Sequence, residues 1–452
     1  MTAASATPPA RYTAAPRPGW ALRARLAAFM ALEALSDLRG NTTAAPLGEP
    51  PAAPARPAWW VYVSTIGELN AIAPLLDALV QRLHPLPLVL VTDHPHYRAS
   101  YLARYPQAEV FVTLGHRRDA RQLAQRRPPR LMVVAEIPLL PSDAPCRCSA
   151  ALLLAARRSG APLVAVNGWL YGYAPSCRMD AIERRWFAGP LLRQFDALCV
   201  QTAAVAQQLQ AAGAAPQRLH VTGNLKFDAL RQPVAWQPRQ ARSPALVGAL
   251  ASAGRPLVVA GSMTRSDEQA TVVEAYAALR RQHPQALLVL ALRHPEVPAN
   301  LTEVDSQLAA HDLPAVRRTV HGDRPLPDTV ACLVLDTIGE LRDFYALAAV
   351  AHVGVDHNVL EPLTHGKPTS TLPGWEATYP SFPVYTALAD AGALLLAQGA
   401  AELQAHWQQA LQDHAAGRTA ASVLRARQAL AGQDTSVQRH LEALAPCLDR
   451  AA

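Results

Sequence analysis

Apolar runs alternate with helical patterns along most of this chain. From residue 59 onward, short stretches of mostly apolar residues are separated by longer ones whose apolar residues recur every three or four positions. Near-continuous apolar runs are typical of strands buried on both faces, and intervening helices are typical of the connections in a parallel sheet. The runs that predict strands are Trp59–Val63, Leu86–Val91, Leu131–Val134, Leu163–Val166 and Ala197–Val200 in the first half, and Pro256–Gly261, Ala286–Leu292, Ala331–Leu335 and Val350–Val353 in the second.

One interruption of this alternation divides the chain into two domains. Residues 232–245 are mostly polar and contain Pro233, Pro238 and Pro244, as is typical of a linker. We therefore predict an α/β protein with two Rossmann-like domains, at residues 58–231 and 246–440. Residues 1–57 are predicted to hold an amphipathic helix and a proline-rich linker. The stretch after residue 400, rich in Ala, Gln, Leu and Arg, predicts closing helices of the second domain.

The pentapeptide Thr-Ile-Gly-Glu-Leu occurs twice, at Thr65–Leu69 and at Thr337–Leu341. Each copy follows a predicted strand and leads into a helical pattern. A strand, a small-residue turn and a helix start often form an anion site, because the first amides of the helix lack partners within it. The alternative is that each glutamate only complements the positive end of its helix dipole, which contributes about 0.3–1 kcal/mol.

Composition narrows the class of partner and the compartment. The 452 residues are 50% hydrophobic, and 42 Lys and Arg against 35 Asp and Glu give a net charge of +7. This modest excess suits anionic substrates or an anionic membrane surface, and the lack of a basic stripe with interleaved aromatics argues against nucleic acid. Scattered cysteines, with Cys199 and Cys332 in apolar runs, favour a cytoplasmic protein. The histidines lack the companion ligands of a metal site.

An amphipathic helix is predicted near the start of the chain. Residues Trp20–Leu38 place most of their large apolar side chains on one side, with Arg23 and Arg25 near the beginning. Such a helix either lies in a membrane interface, as a peripheral contact, or docks on the protein's own surface. No apolar run in the sequence reaches the roughly 18 residues that a bilayer span requires.

Polar residues follow the predicted strands of the second half and fit a nucleotide. The carboxyl ends of parallel strands meet at one edge of a sheet, so these residues should converge there. Arg293 can bind a phosphate through its planar guanidinium, Gly339 allows close approach of the backbone, and Glu361 can accept hydrogen bonds from ribose hydroxyls. Each also has a structural explanation. Asn358 and Glu361 would form a helix capping box, and Arg293 with His294 would end a strand in solvent.

The first half offers groups for acid–base chemistry. Glu68 lies just inside a predicted helix and would face a cleft between the domains, where a carboxylate can deprotonate an attacking hydroxyl. Glu136 ends another apolar run. Lys226 lies near the domain junction, where it either holds a carboxylate or phosphate or is an ordinary surface lysine.

Together these residues resemble the 3-deoxy-D-manno-octulosonic acid (Kdo) transferases of lipopolysaccharide biosynthesis. Ser64–Glu68 is similar to that family's Ser-Val-Gly-Glu turn. Glu136 matches the first Glu of its Glu-Thr-Glu-Leu-Trp-Pro stretch, and Lys226 matches the Lys of its Gly-Asn-Leu-Lys-Phe-Asp motif. The blocks that resemble its nucleotide-binding motifs are Arg293–Glu296, Asp336–Leu341 and His357–Pro362.

The resemblance implies a GT-B fold, with two Rossmann-like domains whose parallel sheets face each other across a cleft, and an inverting transfer. Glu68 would be the general base, with Glu136 and Lys226 supporting the transition state. A CMP-sugar would be the donor substrate, and no cofactor or metal is implied. The residues implied to bind the CMP moiety are Ser262, Arg293, His294, Thr337, Ile338, Gly339, Glu340, Asn358, Val359, Leu360 and Glu361.

Family members act on a lipid A precursor at the cytoplasmic face of the inner membrane, which would make Trp20–Leu38 an interface anchor. The chain also departs from the family pattern. The family's Asn-Ala-Arg-Leu-Ser turn appears as Asn-Gly-Trp-Leu-Tyr at residues 167–171, the second Glu of Glu-Thr-Glu is Pro138, and Ser-Thr-His appears as Ser-Met-Thr at residues 262–264. The nucleotide half keeps the pattern better than the acceptor half, so we predict a divergent member.

Two other functions use the same fold. One is a nucleotide-sugar epimerase or hydrolase, which would release free sugar without an acceptor. The other is a non-catalytic relative that binds nucleotide or glycan. The presence of Glu68 favours the transferase, because a binding protein needs no base at that position.

Overall fold

A computed structural model of the protein describes residue 15 and residues 19–37, 56–113, 117–136, 150–170, 178–231, 236–377, 379, 381–429 and 435–451. Contacts among these residues divide them into two compact units. The first unit comprises the described residues up to Asp228 together with those from residue 435 onward. The second comprises the described residues from Ala229 to Ala429.

The first unit is built on a seven-stranded parallel sheet in the order β3-β2-β1-β4-β5-β6-β7. Its strands are β1 Ala58–Tyr62, β2 Leu88–Thr92, β3 Glu109–Val112, β4 Pro129–Ala135, β5 Leu163–Gly168, β6 Ala197–Val200 and β7 Leu219–Val221. Its helices up to β7 are α1 Trp20–Asp37, α2 Ile66–Arg82, α3 Arg98–Arg104, α4 Arg117–Arg126, α5 Ala150–Arg158, α6 Arg178–Leu192 and α7 Ala203–Ala211.

The second unit repeats this plan with the order β10-β11-β9-β8-β12-β13-β14, again all parallel. Its strands are β8 Leu257–Met263, β9 Leu287–Leu292, β10 Ala315–Arg317, β11 Cys332–Leu335, β12 Val350–Val353, β13 Thr369–Thr371 and β14 Leu395–Leu396. Its helices are α8 Pro244–Ala253, α9 Ser266–Gln282, α10 Pro298–Ala310, α11 Arg318–His321, α12 Leu341–Leu347, α13 Leu360–Thr364, α14 Phe382–Asp390, α15 Ala400–Ala415 and α16 Ala421–Gln428. A last helix, α17 Ser436–Ala451, completes the chain's described elements.

Every strand predicted from an apolar run is present, and these strands form the centre of each sheet. The outer strands β3, β7, β10, β13 and β14 were not predicted from the sequence. Each is only two to four residues long, and β7 and β10 each contain a polar residue that interrupts the apolar signal. Strand β13 is fully buried but consists of Thr-Ser-Thr, whose hydroxyls give no apolar signal.

Both faces of the first sheet are covered, as its unbroken apolar strands require. Trp60 and Tyr62 of β1 pack into a cluster that includes residues of α1, α5 and α6. Trp59 and Val61 point to the other face, where α2 and α17 contribute the apolar partners. Because side chains alternate along a strand, β1 contributes to the hydrophobic cores on both faces of the sheet.

Three apolar side chains of α1 are buried within the first unit. Leu22, Leu26 and Phe29 belong to the core cluster, and the ring of Phe29 contacts Phe187 of α6 edge-on at 5.5 Å between centroids. These three side chains dock on the protein's own surface, whereas Trp20 and Leu32 of the same helix are exposed. None of the described helices combines the length and apolar character that a membrane span requires.

The closing helices do not all belong to the second unit. Leu444, Cys447 and Leu448 of α17 are buried in the same cluster as Trp59 and Leu69 of the first unit. The prediction that the second domain includes the chain up to residue 440 is therefore wrong for α17. An amphipathic pattern shows that a helix needs an apolar partner surface but does not specify which one. Cys199 and Cys332 are buried thiols, as predicted.

A buried ion pair connects several segments of the first unit. Arg157 of α5 lies 2.7 Å from the Asp196 carboxylate, and both side chains are almost fully buried. The same carboxylate accepts hydrogen bonds from the backbone N–H groups of Ala15 and Leu163.

We expect Asp196→Asn to destabilise the first unit by about 3–5 kcal/mol, because removing one charge leaves the buried Arg157 uncompensated. Urea unfolding followed by tryptophan fluorescence measures the change. The control is Asp449→Asn, which breaks the exposed pair with Arg82 and should cost no more than about 1 kcal/mol. Equal effects of the two substitutions would contradict this expectation.

Candidate active site

Glu68 is held at the start of α2 by reciprocal hydrogen bonds. Thr65 caps the helix, with its hydroxyl accepting from the Glu68 backbone N–H at 3.2 Å. The Glu68 carboxylate accepts from the Ser64 backbone N–H at 2.7 Å. The side chain is only 6% exposed. Glu68 therefore does stabilise the start of α2, as the alternative explanation holds. That role does not account for the charges around its carboxyl group.

The pKa of the Glu68 carboxyl is raised to about 8. Burial is the largest cause, and the negative charges of Glu136 and Asp93 add to it, while the Ser64 and Thr65 backbone N–H groups act in the opposite direction. A carboxyl with a pKa in this range exchanges protons near neutral pH, as a general acid or base must.

Glu136 and Lys226, both predicted as site residues, form an ion pair. The Lys226 Nζ lies 3.2 Å from Oε1 of Glu136, a carboxylate that is itself buried. Asn167 donates from Nδ2 to the same oxygen at 2.9 Å. Lys226 is therefore not an ordinary surface lysine, and its charge acts at the carboxyl edge of the first sheet.

Glu136 and Asn167 both have backbone conformations that are uncommon for residues other than glycine. Their φ angles are 60° and 52°, in the left-handed region. Such a conformation costs about 1–3 kcal/mol in each residue, and strain of this kind concentrates at functional sites. Here it occurs where β4 and β5 end, so that the two side chains meet above the sheet edge.

A polar cluster at the end of β2 was not predicted from the sequence. Asp93 is buried, and its Oδ1 accepts from the Ser64 hydroxyl at 2.6 Å and lies 2.9 Å from Nδ1 of His94. Ser64 links this cluster to Glu68 through its backbone N–H. The position of these two residues in the sequence could have predicted the cluster. An Asp-His pair directly after a buried strand lies at the same sheet edge as Glu68.

The second unit gathers a basic group and a histidine at the ends of β8, β9 and β12, which are neighbours in the sheet. Burial, together with the nearby charge of Arg293, lowers the pKa of His357 to about 4. His357 Nε2 lies 2.8 Å from the Thr264 hydroxyl. Arg293 is exposed, and its guanidinium has no hydrogen-bond or ion-pair partner within the described ranges. Ser262 has a left-handed backbone, with φ 60°.

Glu361 is an acidic group of this unit whose carboxylate has no partner within the described residues. Its carboxylate is partly buried, yet it accepts no hydrogen bond and forms no ion pair in the part of the chain that the structure describes. Burial raises its pKa, against the opposing effect of the Arg342 charge. Asn358 is exposed and its Oδ1 accepts from the Leu360 backbone N–H at 3.2 Å, whereas the Val359 and Leu360 side chains are buried. Only the backbone of the last two is therefore suited to ligand contact.

Glu340 differs from its counterpart Glu68 despite the shared pentapeptide. Its two carboxylate oxygens accept hydrogen bonds from Ser243 and Thr337, each at 2.6 Å, and it is ion-paired with Arg318 at 3.2 Å. These partners occupy both oxygens, so the structure assigns Glu340 to holding the turn. As a ligand contact, the prediction for Glu340 is not supported by this geometry.

Ile338 and Gly339 of this loop, and His294 after β9, are exposed. Ile338 is 68% exposed, and its carbonyl accepts from Nη1 of Arg242 at 2.7 Å. Gly339 has φ 91°, a conformation that glycine adopts without strain. His294 is exposed, with its Nδ1 2.9 Å from Glu296.

The chain is similar in sequence to known proteins of one family. Residues 41–229 match the family model described as 3-deoxy-D-manno-octulosonic-acid transferase (kdotransferase). The 3-deoxy-D-manno-octulosonic acid transferase of Bordetella pertussis is 31% identical over 346 residues, which are 72% of this chain and 72% of that protein. The chain belongs to the Kdo transferase family. The Haemophilus influenzae 3-deoxy-D-manno-octulosonic acid transferase is 23% identical over 321 residues, 69% of this chain and 70% of that protein.

Membership of this family confirms the predicted resemblance and indicates a glycosyltransferase of lipopolysaccharide biosynthesis. Solved structures confirm the α/β GT-B fold. The UDP-GlcNAc 2-epimerase from Neisseria meningitidis bound to UDP-GlcNAc aligns with a TM-score of 0.56, covering 86% of this chain and all of that one. At 13% sequence identity, this likeness concerns the fold alone.

A titration of Glu68 tests the electrostatics of the first unit. In protein labelled with ¹³C at the glutamate carboxyls, we expect the Glu68 resonance, identified by its loss in Glu68→Gln, to titrate near pH 8. Glu136→Gln should lower that midpoint, because it removes the second-largest cause of the shift. Glu442→Gln, an exposed change on α17, should leave it unaltered. A wild-type midpoint near the ordinary value of 4.5 would show that the site is not desolvated.

Proposed function

We propose that this glycosyltransferase moves Kdo or a related acidic sugar from a CMP-sugar to a hydroxyl of a lipid A precursor or another glycolipid or polysaccharide, with inversion at the anomeric carbon. The family supplies the sugar class. The donor nucleotide is argued from the second unit, and the catalytic step from the first.

The observation that carries the nucleotide proposal is the unsatisfied carboxylate of Glu361. A partly buried carboxylate without a donor is unfavourable unless a ligand supplies one, and two neighbouring ribose hydroxyls are matched donors. Arg293, also without a side-chain partner in the described part of the chain, supplies the positive charge for a phosphate. Both follow strands that end at one edge of the sheet.

Binding of CMP tests this assignment. At about one hundred times its Kd, a ligand stabilises the protein that binds it by about 2.7 kcal/mol, so we expect CMP to raise the unfolding midpoint by roughly 5–10 °C. UMP, AMP and GMP should have much smaller effects.

Glu361→Ala and Arg293→Ala should each abolish most of the CMP response. The matched controls are Glu274→Ala and Arg281→Ala, exposed residues of α9 that should retain it in full. A clear preference for another nucleotide, or an undiminished response in Glu361→Ala, would overturn the proposed donor.

In the proposed reaction the acceptor oxygen forms a bond to the anomeric carbon on the face opposite CMP. The bond from that carbon to the phosphate oxygen breaks, and its electron pair leaves with CMP. The acceptor proton passes to the Glu68 carboxylate. Lys226, held by Glu136, places a positive charge near the developing negative charge or the carboxylate of the sugar. This scheme requires no cofactor besides the donor.

A lipid-linked acceptor implies work at a membrane surface. Because Leu22, Leu26 and Phe29 are buried, the part of this helix proposed for a peripheral contact is its exposed side, with Trp20, Arg23 and Arg25. Cytoplasmic location follows from a CMP-sugar donor only as part of this proposal.

The pH dependence of turnover tests the role of Glu68. A base must be ionised to act, and with a pKa of about 8 most Glu68 carboxyls are protonated at pH 7. We therefore expect kcat to rise about tenfold per pH unit below pH ~8 and to level off above it.

Glu68→Gln should reduce kcat by about 10²–10⁴-fold and remove this pH dependence. Glu442→Gln serves as the control and should behave as wild type. Assays with purified CMP-Kdo and a lipid A precursor measure both quantities. A wild-type profile without this rise would contradict the role, and release of free sugar and CMP without acceptor would indicate a hydrolase instead.

A further inference from the structure

His440 of α17 is a buried histidine with a defined tautomer. It is fully buried, and its Nε2 lies 3.1 Å from the backbone N–H of Asn167, which can only donate. Its Nδ1 lies 2.6 Å from the carbonyl oxygen of Ser436, which can only accept. Nε2 is therefore the acceptor and Nδ1 carries the proton. Burial lowers the pKa of this imidazole to about 4, in agreement with a neutral ring.

Asn167 shares Nε2 of His440 with the Thr222 hydroxyl, which also lies 3.1 Å from this nitrogen, and it connects to both members of the Glu136–Lys226 pair. Its Nδ2 donates to Glu136 at 2.9 Å, and its Oδ1 accepts from the backbone N–H of Leu225, next to Lys226, at 2.9 Å. Its own backbone is left-handed, so the orientation of this side chain depends on what holds the backbone in place.

The start of α17 is also hydrogen-bonded to the segment that contains Lys226. The Asp228 carboxylate accepts from the backbone N–H groups of Ser436 and Val437, at 3.1 and 2.8 Å. The Ser436 hydroxyl donates to the carbonyl of Asn224 at 3.2 Å. The helix thus contacts this segment on both sides of the lysine.

We propose that His440 is a positioning residue that sets the Glu136–Lys226 pair for sugar transfer by holding Asn167. This inference rests on the proposed function, because it assigns the pair to the reaction. It also gives the return of α17 to the first unit a role in the site beyond completing the core.

The test compares two substitutions on the same helix. His440→Leu removes the acceptor for the Asn167 N–H and keeps an apolar side chain of similar size. Leu444→Ala, one turn along α17, opens a cavity in the core and leaves the His440 imidazole in place. Both should lower the unfolding midpoint. We expect only His440→Leu to reduce kcat, by at least 30-fold, with the KM for CMP-Kdo changed less than threefold.

Two further variants separate positioning from general damage. His440→Gln presents a carbonyl oxygen that can accept from the Asn167 N–H, so it should recover at least a third of wild-type kcat. Asn167→Ala should reduce kcat as much as His440→Leu, and the double variant should be no worse than either. An equal loss of kcat in His440→Leu and Leu444→Ala would overturn the proposal.

A readout that does not depend on transfer activity distinguishes this failure from that of the proposed function. Acetylation of Lys226 by an amine-reactive ester, followed by mass spectrometry, reports on its pairing with Glu136. We expect His440→Leu to accelerate acetylation at least fivefold and Leu444→Ala to leave it within twofold. An unchanged rate in His440→Leu overturns the positioning role even in a protein without transfer activity, whereas loss of CMP-Kdo turnover alone concerns the proposed function.

Discussion

The parallel arrangement of strands is the constraint on which the rest of this structure depends. Each unit keeps all its strands in one direction, so every connection must cross back over a face of the sheet and both faces must be covered by helices. The same arrangement brings all strand ends to one edge. Glu136 and Asn167 in the first unit, and Ser262 in the second, follow or end strands at that edge with left-handed backbones. Local backbone strain therefore occurs where polar side chains must point away from the sheet.

Neighbouring charges decide what each polar group at that edge can do. Glu68 lies among other acidic groups and is deprived of water, which raises its pKa towards neutrality. Glu136 is matched by the Lys226 ammonium and the Asn167 amide, so its charge is compensated by the protein. Glu361 has neither kind of partner in the described part of the chain, and this makes it the group that a ligand would complete. The division that we propose, with proton transfer in one unit and ligand binding in the other, is based on these surroundings.

The repeated pentapeptide shows how far identical sequence is from identical structure. In the first copy Ile66 begins α2, Gly67 is helical and Thr65 caps the helix. In the second copy Gly339 is left-handed and α12 begins only at Leu341. The difference arises from partners distant in sequence, because Arg318 and Ser243 draw Glu340 inward and Arg242 binds the carbonyl of Ile338. Local sequence allows both conformations, and long-range contacts select between them.

The sequence by itself determined the α/β class, the central strands of both sheets and the family, because buried parallel strands require near-continuous apolar runs and the motifs lie directly after them. It also predicted a shared role for Glu136 and Lys226, which lie ninety positions apart, through their resemblance to known motifs. Only the tertiary structure decided that these two residues pair, that Glu340 turns inward and that α17 returns to the first unit. It alone showed the buried Asp93 and His440 beside the site. These features depend on which distant surfaces meet, and neither periodicity nor composition encodes the partner of a helix or the burial of a single charge.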